Sequence, residues 1–245
     1  MSEQNHRLPL SRERALAAAV ALVDAEGLQA LTMRRLAAEL GVEAMSLYHH
    51  LPGKEGLLDG LVETVVGEIG AAAGRTAAAG DWRAALRQRF LSAREVMLRH
   101  PWAPTLLTSR STIPAGLFAY YDAVVATMVG GGFSYRIAHR ALHAFGSLAL
   151  GFAQEVFRPG AADASFDADA AEAELAAMAQ AVPHLTAMMV AEAHDAADPT
   201  LGWCDSQVEF EFTLDLLLDG LDRLRGGGES PWVQHGAVPG GAGSP

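Results

Sequence analysis

Cysteine is almost missing from this sequence. Cys204 stands alone among 245 residues, so no intrachain disulfide can form and a reducing compartment is the natural setting. Aromatic residues make up only 7% while half the chain is hydrophobic. With alanine abundant, that balance favours closely packed helices over a β-sandwich. No run approaches the ~20 apolar residues a membrane-spanning helix needs, and the opening MSEQNHRLPL lacks the apolar core of an export signal. A cytoplasmic protein without membrane association is expected. Positive charge is short as well: 18 Lys and Arg stand against 29 Asp and Glu, a formal net charge of −11. Such a balance excludes a protein that coats nucleic acid by neutralising many phosphates. The deficit is uneven, −2 over residues 1–60 and −9 over the remainder.

What the chain does have is helical periodicity. Ser11 is placed to cap a helix over residues 11–26, in which Leu16, Ala19, Val20 and Val23 recur at i, i+3, i+4 and i+7 before Gly27. Thr32 caps a second helix through Met33, Leu36, Ala37 and Leu40, which ends at Gly41. The stretch GVEAMSLYHHLPGK, residues 41–54, holds a third and very short one. With Glu43 as its N-cap, Val42 and Leu47 occupy the two positions of a hydrophobic staple, which sets the angle of entry. Leu47 and Leu51 then share one face, Met45, Ser46 and His49 point away, and Tyr48 lies at the flank.

Pro52 and Gly53 close this element, and Lys54 opens a longer helix that fades into GAAAGRTAAAG. Further helices are expected from Asp81 to about residue 100, from Pro114 to about 129, and from Ser134 to about 157. Residues 158–206 are mixed, with helical pieces over 169–181 and 183–194. A last helix, 206–225, places Phe210, Leu214, Leu217, Leu221 and Leu224 at alternating steps of four and three, the spacing of a packing seam. Residues 1–9 read as a flexible arm and 226–245 as a disordered tail.

Three short helices with a tight glycine turn before the third form a helix-turn-helix pattern. Many helical proteins contain such hairpins, so periodicity alone does not decide. The residues decide further: LTMRRLAAELGVEAMSLYHHLPGKEGLLDGL, with its Leu-Tyr-x-His core and a lysine opening the fourth helix, resembles the N-terminal domain of the TetR family of transcriptional repressors. Residues 82–110, the GFS turn at 132–134 and FEFTLDLLLDGLDRL at 210–224 resemble the ligand-binding half of the branch containing the tetracycline repressor.

The resemblance implies an all-α homodimer in three parts: a DNA-binding domain (1–55), a regulatory and dimerisation body (56–225) and the tail. It implies double-stranded operator DNA and a small-molecule effector as partners, and neither catalysis nor a cofactor. By the same resemblance Arg34 reaches base edges from the second helix. Ala44, Met45 and Ser46 occupy the base-reading positions of the third, and Tyr48, His50 and Lys54 border the DNA backbone. His49 stands where an exposed aromatic is usual, and Thr32 joins the set at the start of the second helix. The chemistry fits these roles. Lys54 beside free N–H groups at a helix start suits a phosphate, whereas Arg34 can bind guanine O6 and N7 together, worth ~1–3 kcal/mol of discrimination. Ala44 and Met45 suit thymine methyls, and Ser46 suits several edges, so the operator is not spelled out.

Effector contacts are read less sharply. Trp82, Arg89, Phe90, Met97, Trp102, Phe118, Tyr121, Met128, Phe145, Phe152 and Glu155 are the candidate pocket, mostly large apolar side chains with a few polar handles; taken singly, each is as readily a core residue. The tetracycline repressor's drug arrives with magnesium held by histidines. Gly70 falls at one of those positions and Leu106 or Leu107 near the other, so a largely apolar effector other than magnesium-tetracycline is expected. The dimer surface is read as Ile137, Ala141, Leu148 and Phe152 with Phe210, Leu214, Leu217 and Leu221, in a four-helix arrangement. His139 and His143 are spaced for two metal ligands, but no nearby Glu, Cys or third His completes a set, so no metal is expected. Cys204 lacks an activating neighbour. The alternative, a helical enzyme or small-molecule carrier, finds no nucleophile–base pair or phosphate loop to support it.

Overall fold

The structure is a computed structural model, and it describes residues 9–74, 80–153, 176–191 and 206–225. All regular structure among the described residues is helical. They fall into two compact units, one within Met1–Ala153 and Leu214–Pro245, the other within Gln154–Thr213. Cys204, Glu155, residues 1–8 of the N-terminal arm and the tail lie outside the described residues.

The first unit begins with α1 (Arg12–Glu26), whose Ser11 cap accepts from the Arg14 N–H at 3.1 Å, and which stops at Gly27 with φ +81°. A 3₁₀ turn (Leu28–Ala30) leads to α2 (Met33–Leu40), where Thr32 accepts from the Arg35 N–H at 3.0 Å. α3 (Ala44–Tyr48) follows, then α4 (Gly53–Gly74), which runs on through Ala71, Ala72 and Ala73 of the segment into which the sequence has it fade. Alanine's high propensity and two buried members, Ala72 and Ala73, carry the helix on. Gly60 allows α4 to lie against α1, since a Cβ there would come within 2.5 Å of Leu16 Cδ2. Leu16, Leu36, Leu47, Leu51, Leu57 and Leu61 are all buried, so the small head shares its core with the start of α4.

The body follows with α5 (Trp82–Arg99), capped by Asp81, which accepts from the Arg83 and Ala84 N–H groups. A short helix, α6 (Ala103–Ser109), is an element the sequence reading misses. Pro101 and Pro104 suggest a break, yet Pro104 sits in the first turn, where a missing N–H is harmless. α7 (Ala115–Gly130) and α8 (Tyr135–Ala153) are joined by the glycine turn, at which Trp82 packs edge-on against Phe133 with centroids 4.7 Å apart.

Residues 176–181 are helical, followed by α9 (Pro183–Ala191) and α10 (Ser206–Leu224). Along α10 the buried residues are Phe210, Leu214, Leu218 and Leu221. Leu217, expected in that row, is only half-buried, because a seam alternating steps of four and three leaves the choice of neighbour open by one residue.

Candidate nucleic-acid interface and ligand-binding body

The interface is built by the turn between α2 and α3. Gly41 adopts the left-handed conformation (φ +65°, ψ +37°); its N–H bonds to the Ala38 carbonyl at 3.1 Å, and Val42 N–H to Ala37 at 3.0 Å. This pair of reversed bonds ends α2 at once and turns the chain. Glu43 occupies the N-cap position as expected, but its side chain makes no capping bond. Fully buried Leu47 and Leu51 anchor the short helix inward, while Met45 is left 71% exposed, Tyr48 and His49 exposed, and Ala44, Ser46 and His50 half-buried.

Charge pairing separates the two arginines of α2. Arg35 is held by Glu26 at 2.7 Å and lies 4.0 Å from Glu39. Arg34 is exposed and makes no hydrogen bond or ion pair among the described residues. Lys54, the chain's sole lysine, is likewise exposed and unpaired in the first turn of α4. At the start of α1, the Glu13 carboxyl is held below its usual range, chiefly by a backbone hydrogen bond and by Ser11, with the charges of Arg12 and His50 adding to it.

Head and body meet at a polar clasp. His100, at the end of α5, is buried; its Nδ1 lies 2.8 Å from Asp24 of α1 and its Nε2 3.3 Å from Glu68 of α4. The Trp102 indole N–H donates to the same Asp24 oxygen at 2.6 Å, and Arg99 donates to Glu68 at 2.9 Å. A second clasp joins Arg110, whose side chain is 9% exposed, to Asp59 at 2.7 Å and Glu55 at 2.8 Å on α4. The ends of α5 and α6 are thereby tied to α4 or α1, with His100 and Arg110 the members withdrawn from water. No short window of sequence holds this set, because donors and acceptors lie as far as 78 residues apart.

The residues expected to line a pocket divide. Phe90 stacks on Phe145 at 4.5 Å, and Arg89 lies over the Tyr120 ring at 5.4 Å. Burial pushes the Tyr120 hydroxyl well up, with Arg89 opposing, and raises Tyr121 too. Arg94 donates to the Phe152 carbonyl at 3.0 Å. Met97 and Met128 are buried and Phe118 is 57% exposed. Trp82 packs against the α7–α8 turn and Trp102 joins the clasp. Of the expected dimer residues, Ala141, Leu148, Phe210, Leu214 and Leu221 are buried within the single chain, and Ile137, Leu217 and Phe152 are half-buried. No helix among the described residues is long and apolar enough to cross a membrane.

A short helix aimed by a glycine turn, presenting exposed side chains from a head seated on a helical body, defines a helix-turn-helix regulator. Residues 15–61 match the family described as "Bacterial regulatory proteins, tetR family", and residues 76–225 match "Tetracyclin repressor-like, C-terminal domain". The chain belongs to the TetR family, whose members are DNA-binding transcription factors rather than enzymes. It is 44% identical over 103 residues to the HTH-type transcriptional repressor DrrR1 of Streptomyces coeruleorubidus, covering 41% of this chain and 37% of that one. The matched stretch spans 37% and 51% of the length of two curated relatives. A possible TetR family regulator from Streptomyces coelicolor A3(2) superposes with a TM-score of 0.66 at 29% identity, over 88% of this chain and all of that one. ActR from Streptomyces coelicolor, solved in complex with actinorhodin, gives 0.67 at 25% identity, over 89% and 98%.

Proposed function

We propose that this protein is a homodimeric transcriptional repressor that binds a palindromic operator and is released by a small, largely apolar effector other than magnesium-tetracycline. The observation that carries the reading is the split on α2 and α3. Arg35 is neutralised while Arg34 stays unpaired, and Leu47 is sealed while Met45 stands 71% exposed. A packing role explains Leu47 and Arg35 but not their neighbours. Arg34 reads a base edge, Ala44, Met45 and Ser46 make further groove contacts, and Thr32, Tyr48, His49, His50 and Lys54 border the backbone. Two such heads engage half-sites ~34–36 Å apart or a multiple of that spacing.

The dimer uses the open faces of α8 and α10. On α10, Val208, Phe212 and Leu216 recur every fourth residue and are each more than half exposed, an apolar row on a helix whose other side is buried. The effector reading rests on the apolar body, with Arg89 and Tyr120 as its polar handles, and on ActR as a neighbour that holds actinorhodin. An effector can shift operator affinity only by its differential affinity for the two states of the dimer.

The test is fluorescence anisotropy with the DNA upstream of the protein's own gene, at fixed salt. Arg34→Ala should weaken specific binding by ~1–3 kcal/mol while Arg35→Ala leaves the base preference intact. Tyr48→Phe should weaken specific and unspecific duplexes alike. Specific binding untouched by Arg34→Ala and Tyr48→Phe would overturn the site assignment. Failure to bind any palindromic duplex would favour the carrier reading.

A further inference from the structure

The exposed side of α8 carries an arrangement that operator binding does not use. His139 and His143 are one helical turn apart and both exposed, and their Nε2 atoms lie 3.2 Å from each other, with ring centroids 4.8 Å apart and planes at 85°. Two imidazole nitrogens at that separation share either a proton or a cation, because two facing lone pairs repel. Histidine binds zinc at ~2.0–2.1 Å, so two nitrogens on a tetrahedral ion stand about 3.3 Å apart, and cis nitrogens on an octahedral ion of similar radius about 2.9 Å. The observed distance falls between the two.

We propose that His139 and His143 form a bidentate site for one divalent transition-metal ion of the Cu²⁺, Ni²⁺ or Zn²⁺ class. The expectation of no metal rested on the missing third ligand. Among the described residues no group of three His, Cys, Asp or Glu could hold an ion, so one chain supplies two ligands and the remaining positions go to water or to the same pair on a second copy. This is an open site rather than a closed structural zinc centre. The surroundings select the ion. α8 contains no Asp or Glu, and Arg136 and Arg140 flank His139 in sequence, so a hard cation such as Mg²⁺ or Ca²⁺ finds no oxygen ligand from this helix to offset the nearby positive charge. Imidazole nitrogen suits Cu²⁺, Ni²⁺ and Zn²⁺, with Cu²⁺ bound most tightly.

The test is calorimetric titration of the full chain, carrying no affinity tag, with CuCl₂ and then ZnCl₂. His139→Ala, His143→Ala and, as a control, the exposed His184→Ala are titrated in parallel. One ion per chain is expected, or one per two chains where a second copy completes the sphere. Either α8 substitution should weaken binding about tenfold or more, because the second ligand no longer acts at a high effective concentration, while His184→Ala changes nothing. Both α8 side chains are exposed, and circular dichroism checks that the helices are retained. No saturable copper binding at micromolar protein, or wild-type affinity in either α8 variant, would overturn the proposal.

Discussion

Removing the His100 imidazole should loosen the molecule where head meets body, by an amount the geometry bounds. In His100→Ala the two interactions lost are those to Asp24 at 2.8 Å and Glu68 at 3.3 Å. A hydrogen bond to a charged group is worth ~1.5–3 kcal/mol. That must be discounted, since the two carboxylates are 33% and 32% exposed and keep Trp102 and Arg99 as donors. Halving the sum and adding ~1 kcal/mol for the void left by a buried ring gives a net loss of ~2.5–4 kcal/mol. For a urea slope of ~3 kcal/mol/M, the midpoint falls by about 1 M. His100→Phe separates the contributions, because it fills the space without donating, and should recover only the void term. His100→Gln keeps one donor and should fall between. The assay is equilibrium urea unfolding of all four proteins at one protein concentration, which matters for a dimer. Wild-type stability in His100→Phe would refute the reasoning, for the clasp would then be hydrophobic packing that happens to contain ions.

Two further predictions concern the body. A Cβ at Gly131 would lie 2.7 Å from both Cβ and Cγ of Trp82, atoms close to the backbone that cannot swing aside. Gly131 has φ −78°, so Gly131→Ala acts purely by overpacking and should cost ~1–3 kcal/mol in urea unfolding; Gly130→Ala, which meets nothing within 4 Å, is the control, and equal midpoints would contradict the packing described. Tyr120 and Tyr121 have raised hydroxyl pKa values in the folded state. The neutral forms are favoured there, so stability is full below the unfolded tyrosine pKa of ~10 and declines as pH rises above it. Alkaline difference absorbance should show a late tyrosinate component that Tyr120→Phe diminishes, and early titration of all tyrosines would count against the burial.

The parts of the fold that were legible in the sequence are those set by local chemistry. Ser11, Thr32 and Asp81 each accept the backbone hydrogen bonds of an N-cap, and Gly41 takes the left-handed turn its position before a short helix demands. The exposure of Met45 and the burial of Leu47 follow from helical phase alone. What escaped depends on distant partners. Asp24 and Glu68 lie 76 and 32 residues from His100, so no window of sequence holds the clasp or ties Trp102 to it. The seven residues of α6 are too few to show a period. Which of Leu217 and Leu218 turns inward was settled by packing, not by spacing.

The position of Lys54 has a practical consequence. A chain of 245 residues with one lysine offers a single ε-amine to acylating reagents, and that amine sits at the start of α4, exposed and unpaired. On this protein an amine-directed label is therefore a site-specific one, distinguishable from the α-amine by peptide mass. Its protection by duplex DNA would footprint the head without any substitution.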